Sequence, residues 1–308
     1  MKYRVFSMLV LVFALPLLAV SAYADSFAIG TAAPFAVLGE AGVTNTGSSV
    51  IYGSVAGSTG TPSVTGFPSP GSVIAPGVLY TAGVANSGPG TPFGDAAAAY
   101  GYAAGLPVTT ALGTASLGAG GVGGTSATAL TAGVYSFTSS VVGLNGTLYL
   151  NAAGSNAAQW TFLMPFQLTT ASSSGVVIEN AGPTGNAFTG TITWDVGTGA
   201  TLGAGSMFLG TIIANTGTIA LDSTATIGCG RAVALTGQVT LIGNVIDIPG
   251  DCSVTPNGTS GHGTGAPIAG GGVVATPEPG TLALLSFGLL GMVFLTFRKS
   301  RVSSLRAS

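Results

Sequence analysis

Leu202, Leu221 and Leu241 fall 19 and 20 residues apart, each behind a Thr or a small residue in "GATL", "TIAL" and "QVTL". Between them lie further short apolar runs, "MFLGTIIA", "TATIGCG" and "RAVAL", punctuated by Gly, Asn, Asp and Ser. About 19 residues carrying three short strands make one coil of a triangular β-solenoid. In such a coil one apolar residue per strand turns inward and its neighbours turn out. The stretch Asn215–Gly228, "NTGTIALDSTATIG", is most of one coil. Ile219, Leu221 and Ile227 are expected to point inward, and Asp222-Ser223 to turn a corner. The threonines then divide between two outward faces. Stacked coils also need protected ends, because an open coil exposes an unpaired sheet edge.

The composition agrees with many short strands joined by tight turns: 51 Gly, 47% hydrophobic residues and only 5% charged ones. Recurrent Val, Ile, Leu, Phe and Thr offer apolar area to bury, which excludes a disordered chain. Six of the seven basic residues sit at the two ends: Lys2, Arg4, Arg298, Lys299, Arg301 and Arg306. Between Asp25 and Ala275 the only cation is Arg231, against the carboxylates Asp25, Glu40, Asp95, Glu179, Asp195, Asp222, Asp247 and Asp251. A chain so poor in Lys and Arg has no surface to replace the counterions of nucleic acid, nor to steer it to anionic lipid. From Phe27 to about Ile248 the chain reads as one domain with a single helix. Thr91 caps that helix, Pro92 occupies its first turn, "GDAAAAYGYAAG" continues it to about Ala104, and Gly105 and Pro107 stop it.

Both ends read as addresses. Residues 1–24 carry Lys2 and Arg4, the apolar run Val5–Val20 and the small-x-small end Ala22-Tyr23-Ala24, the pattern of a secretory signal cleaved before Asp25. The domain follows over 25–252. Residues 253–275 form a Gly-rich spacer that holds the lone His262. Residues 276–308 end the chain: Thr281 to Phe297 is an uncharged apolar run at the short limit for a membrane helix, followed by Arg298, Lys299 and Arg301. With Pro277-Glu278-Pro279 just ahead of that run, the tail resembles the PEP-CTERM sorting signal of Gram-negative bacteria. The resemblance implies recognition by an exosortase, transient inner-membrane anchoring through 281–297, and a final place at the cell surface or outside the cell. In an exported chain the only two cysteines, Cys229 and Cys252, are expected to pair. The loop so closed restricts the unfolded chain by about 3 kcal/mol in the entropy picture.

Several stretches in order resemble the ice-binding-like β-solenoid family of bacteria and fungi. They include "FAVLGEAGVTNTGSSVIYGSV" (Phe35–Val55), "AYGYAAGLP" (Ala99–Pro107), "LNGTLYLNAAGSNAAQWTF" (Leu144–Phe162), "ITWDVGTGATLGAGSMFLGTIIA" (Ile192–Ala214) and "GRAVALTGQVTL" (Gly230–Leu241). The resemblance implies an all-β fold: a right-handed, irregular triangular β-helix with one long α-helix packed alongside. It also implies that the first and last parts of the chain are neighbours in the stack, and that ice is bound on one face without cofactor or catalysis. Some members carry T-A/G-x-T/N at that face. Thr128-Ala129-Leu130-Thr131 and Thr198-Gly199-Ala200-Thr201 fit it. Ser223-Thr224-Ala225-Thr226 departs at its first two positions, and Thr236-Gly237-Gln238-Val239-Thr240 is one residue longer.

Two candidate faces follow. Thr201 and Thr240 precede equivalent inward leucines, with Ala220 at the same position between them and Thr218 two residues ahead of it. Thr224 and Thr226 mark the other face. Outward Thr supplies hydroxyls that order water and methyls that shed it, and a rigid strand surface repeats both at fixed spacing. The expected partner is therefore an ice crystal surface. The alternative from another class is a cell-surface or extracellular-matrix protein, structural or adhesive, that binds exopolysaccharide. Its stacking residues would come from Tyr52, Tyr80, Tyr100, Tyr102, Tyr149, Trp160 and Trp194. An enzyme is not expected. The body holds no His for a Ser-His-Asp triad, and nothing in the spacing of Asp195, Asp222, Asp247 and Arg231 brings them together.

Overall fold

The computed structural model describes residues 28–58, 64–182 and 188–248, with the backbone alone of 252–254 and 260–262. The chain divides into two units, Met1–Thr264 and Gly265–Ser308. The second unit, the signal at 1–24, Pro277-Glu278-Pro279 and the apolar run 281–297 lie outside the described residues. Among the described residues no helix is long and apolar enough to cross a membrane.

Each coil lays one strand into each of three parallel sheets, the arrangement expected of a triangular β-helix. Sheet A runs Leu79–Val84, Ser54–Ser58, Phe35–Gly39, Ala232–Ala234, Thr211–Ala214, Thr191–Val196, Gln159–Met164, Gly133–Phe137 and Thr110–Gly113. Sheet B runs Val122–Gly123, Leu117–Gly118, Val141–Asn145, Gln167–Thr170, Ala200–Leu202, Ile219–Leu221, Val239–Leu241, Val43–Asn45 and Val64–Thr65. Sheet C runs Leu130–Thr131, Thr147–Asn151, Gly175–Glu179, Met207–Leu209, Thr226–Gly228, Val245–Asp247, Val50–Tyr52 and Ser72–Ile74.

The stacking order differs from the chain order, as the resemblance implied. The first coil packs on the last: Val37 pairs with Ala232, Val43 with Val239 and Val50 with Val245. The chain thus begins inside the stack and builds to one end, at Leu79–Val84. It then crosses to the other end at Thr110–Gly113 and climbs back. The crossing is the helix. It spans Pro92–Ala104, and Thr91 accepts a hydrogen bond from the Gly94 N–H at 3.1 Å. Thirteen helical residues span about 20 Å, and nine strands span about 38 Å, so the extended flanks complete the bridge. Phe93, Ala96, Ala99 and Ala103 are the helix's buried residues. Phe93, Ala96 and Ala99 cluster with the outward side chains of sheet A: Leu38, Ala56, Ile213 and Val233. Alanine on that stripe lets the helix lie close, which covers the middle strands of sheet A and leaves the outer faces of its end strands exposed.

Inside the coils, Leu202, Leu221 and Leu241 stack in register, as the 19- and 20-residue spacing predicts. Strands of sheet B bury two residues each, however, not one: Ala200 with Leu202, Ile219 with Leu221, Val239 with Leu241. A three-residue strand centred on an outward side chain has inward neighbours on both sides. Sheet A adds an aromatic column toward the Thr110 end: Phe162 and Trp194 stack with centroids 4.2 Å apart, Tyr135 continues it, and Phe208 of sheet C packs against Trp194 across the core. The indole N–H groups of Trp160 and Trp194 donate to the carbonyls of Leu130 and Leu209. Both tryptophans are therefore core residues at 0% exposure, so neither is available to stack on a sugar. Corners are tight: a Cβ on Gly237 would overlap the Gly217 carbonyl oxygen of the next coil.

The expected spacer contains local structure. Cys252–Val254 pairs antiparallel with Ser260–His262, placing Cys252 opposite His262. A ladder two strands wide needs only main-chain groups and leaves no apolar period in the sequence. Cys229 is disulfide-bonded and sits at a corner with a left-handed backbone, φ 49°. The side chain of Cys252, its expected partner, lies outside the described residues.

Candidate functional site

One outward position of sheet B continues in register through seven coils, and threonine dominates it: Gly143, Thr169, Thr201, Ala220, Thr240, Thr44 and Thr65. Val141 and Gln167 add a second outward pair at one end. The pairing from Val141–Asn145 to Val64–Thr65 has no register shift. Sheet A, by contrast, shifts register at three pairings. An unshifted parallel ladder holds equivalent side chains at about 4.8 Å along the stack. No strand of sheet B contains a charged residue. Sheet C carries Glu179 and Asp247, and sheet A carries Asp195.

The sequence picked out Thr201, Ala220 and Thr240 as one row, and the register aligns them. Thr218 stands two residues ahead of Ala220, is exposed, and lies beside the row. Thr198 lies one residue before Gly199, at the entrance to the strand of Thr201. The sequence reading missed Thr44, Thr65 and Thr169. Thr44 and Thr169 precede Asn45 and Thr170, which occupy the inward slot that leucine fills elsewhere. A search for Thr before a buried residue, not Thr before Leu, would have found both.

The remaining candidates lie elsewhere. Thr224 is at a corner with φ 60°, and its hydroxyl donates to the Ser223 carbonyl. Thr226 faces out from sheet C, in register with Met207 and Val245, which are 55% and 38% exposed. Its row is thus mixed and largely apolar. Thr128 closes a short 3-10 turn with Thr125, and Thr131 lies at the edge of sheet C. The structure does not bring these together with the row on sheet B.

Hydroxyl partners separate the faces. Oγ1 of Thr128, Thr224 and Thr226 each reach a protein oxygen. At the A–B corner Thr216 and Thr236 donate to the Gly197 and Asn215 carbonyls, each at 3.0 Å. The hydroxyls of Thr44, Thr65, Thr169, Thr201 and Thr240 bond no other described residue, so they stand ready for water.

Among the described residues, Asp195, Arg231, Asp222 and Asp247 lie on different parts of the coils. Asp195 is buried under the helix, where burial pushes its carboxyl up to about 7 against the opposing hydrogen bond from Tyr100. Arg231 is buried just before the interior strand Ala232–Ala234 of sheet A, its guanidinium donating to the Ala33 carbonyl at 2.6 and 3.1 Å, and burial pulls it down to about 10. Asp222 is exposed at the corner of sheets B and C, and Asp247 ends a strand of sheet C. Among the described residues no group of His, Cys, Asp and Glu is arranged to hold a metal ion.

Residues 37–247 match the Ice-binding-like family, and residues 275–299 match the PEP-CTERM protein-sorting motif. An ice-binding protein of Nostoc sp. (strain HG1) is 39% identical over 178 residues, 58% of each chain, so this chain spans little more than half of that relative. The ice-binding protein of the Antarctic ascomycete Antarctomyces psychrotrophicus superposes with a TM-score of 0.58 at 33% identity, covering 72% of this chain and 97% of its own. An ice-binding protein from an Antarctic biological consortium gives 0.58 at 29% identity, covering 74% and 93%. With the match extending through the whole β-helix, the chain belongs to the Ice-binding-like family.

Proposed function

We propose that this is an exported ice-binding protein that works through the outer face of sheet B. The observation that carries the reading is the charge-free row of Thr169, Thr201, Thr240, Thr44 and Thr65, whose hydroxyls have no partner among the described residues. The middle of sheet A is covered by the helix and its register shifts at three pairings, and sheet C mixes carboxylates, tyrosines and exposed Met207. Charged groups keep their own hydration shells, whereas alternating methyl and hydroxyl groups hold water at fixed positions that a crystal can extend. Each contact is weak. Held on one rigid sheet they act together with little ordering cost. No reacting group is needed, and the ionisable residues are scattered over different sheets.

Ice-affinity partition of the protein expressed without its signal and tail tests the reading. The wild type is expected to enter the ice fraction and to give thermal hysteresis at tens of micromolar, and exclusion from ice would refute the proposal. The same assay reads a gain. Ala220 interrupts the row, and a Cβ on Gly143 at its end meets nothing within 4 Å. Ala220→Thr with Gly143→Thr is expected to raise thermal hysteresis about twofold, because two more contacts join the same rigid array.

Export and tail removal follow from residues 1–24 and the sorting motif. The mature protein should lack the basic tail, and an intact mass that retains Arg298–Ser308 would contradict this. The same motif favours a surface or matrix role, which is compatible with ice binding where a cell holds itself to ice. Of the exposed aromatics, Tyr80 lies on a strand of sheet A, Tyr102 on the helix and Phe166 in the bend between Gln159–Met164 and Gln167–Thr170, so no one element gathers them into a stacking platform among the described residues. Retention on a glycan array would establish polysaccharide binding as a separate activity.

A further inference from the structure

The inward slot beside the threonine row is filled by Leu202, Leu221 and Leu241 in successive coils, and then by Asn45 in the next. An amide buried to 4% exposure in a leucine stack is costly unless it is bonded. Asn45 is bonded on both ends. Its amide N–H groups donate to the carbonyls of Gly47 at 2.6 Å and Gly66 at 3.0 Å, and its Oδ1 accepts from the Ser49 hydroxyl at 2.7 Å. Ser49 Oγ accepts in turn from the Asn244 N–H at 2.9 Å. Asn244 donates to the carbonyls of Asp222 at 2.7 Å and Ala225 at 3.0 Å, and accepts from the Ile242 N–H. Ser49 and Asn244 are 0% exposed.

This chain of bonds runs along the B–C corner through four consecutive coils, from Asp222 through Asn244 and Asn45 to Gly66. It crosses the one place in the row where neighbouring coils are remote in sequence, Ser49 and Asn244 being 195 residues apart. Elsewhere a short connection fixes the register of one coil on the next. At this closure nothing covalent does so. A stack of leucines alone tolerates slippage, and a slip of one residue would turn Thr44 inward. Buried hydrogen bonds satisfied in only one alignment specify it.

We infer that Asn45, Ser49 and Asn244 are positioning residues: they set the register in which the first coil closes on the last, and so carry the threonine row from Thr240 on to Thr44 and Thr65. The inference rests on sheet B being the ice face for its functional part and on the corner geometry for its structural part. Hydrogen exchange reads the structural part without ice. The Thr46 N–H bonds the Leu241 carbonyl across the closure, and the Ala171 N–H bonds the Leu144 carbonyl in coils the chain of bonds does not reach. In Asn45→Leu, which fills the slot with the residue its neighbours use, Thr46 protection should fall about tenfold or more while Ala171 keeps its own. Ser49→Ala, a smaller change, should show the same selectivity more weakly. Equal loss at both amides, or none at Thr46 in either variant, would overturn the inference.

Thermal hysteresis reads the functional part. Asn45→Leu should lower it, and Thr44→Tyr should then add little further loss, while Thr201→Tyr still adds its full effect. Fully additive losses from Thr44→Tyr and Asn45→Leu would show that the clasp does not act through the row. A wild type without hysteresis, but with the selective exchange pattern, would refute the ice reading and leave the register role standing.

Discussion

Replacing Thr201 and Thr240 together by tyrosine is expected to lower thermal hysteresis about tenfold or more, while Thr226→Tyr on sheet C leaves it within about a factor of two. Thr201 and Thr240 stand two coils apart with Ala220 between them, about 10 Å along the stack. A crystal surface resting on that row meets all its members at once. Two protruding rings at its centre would hold the lattice off Ala220 and the flanking threonines as well, so the loss exceeds two contacts. Tyrosine suits an outward strand position, and both threonines are half-buried between coils, not in the core, so the fold should persist. Thr226 has the same strand environment but lies among Met207 and Val245, which makes its substitution a control for bulk alone. Thermal-hysteresis measurements on the wild type and the two variants, matched for melting temperature, decide the point. Equal loss from Thr226→Tyr would move the site to sheet C, and no loss from the double variant would remove sheet B.

Legibility in the sequence followed locality. The helix was readable end to end because its signals are neighbours: Thr91 at the cap, Pro92 in the first turn, Gly105 after Ala104. The alignment of Thr201, Ala220 and Thr240 was readable because the coils there have almost constant length, so Leu202, Leu221 and Leu241 announce the register. Thr44 was not readable. Its strand pairs with one near the other end of the domain, and a repeat read along the chain cannot show that the first coil is inserted beside the last. Asn45 hid it further by taking a leucine slot. Thr224 misled for a different reason. Its motif looks like strand, but a left-handed residue at a corner belongs to no face. The family resemblance supplied what local pattern lacked, namely that the chain's ends meet in the stack.

The buried carboxyl beneath the helix gives the second large effect. Asp195 lies at an outward position of sheet A, in register with Leu163 and Ile213, and is 4% exposed. Tyr100 of the helix bonds it, and its Oδ2 has no hydrogen-bond partner among the described residues. Burial raises its pKa to about 7, from an unfolded value of about 3.9. The folded protein therefore holds a proton that the unfolded chain has released between those values. Stability from this group is fully present below about pH 4, declines as pH rises, and is lost by about pH 7. Three units correspond to a ceiling of about 4 kcal/mol, of which relaxation around the site leaves about 2–3. Asp95 acts at the acid end with the opposite sign, since hydrogen bonds from Thr31 and Gly90 hold it low. Tyr100, raised to about 12 by burial and by Asp195, acts only in alkali, as does Arg231. The interval from pH 4 to 7 thus belongs to Asp195 among the shifted groups. Urea unfolding across that interval should show wild-type stability falling with pH, and Asp195→Asn should flatten the slope whatever its absolute stability. A wild-type profile that is level or rising, or a slope that survives the substitution, would show that Asp195 holds no extra proton in the folded state between pH 4 and 7. The outcome bears on ice binding as well. The helix packs on the first coil at Leu38, six residues before Thr44, so conditions that loosen it act on the same closure that continues the threonine row.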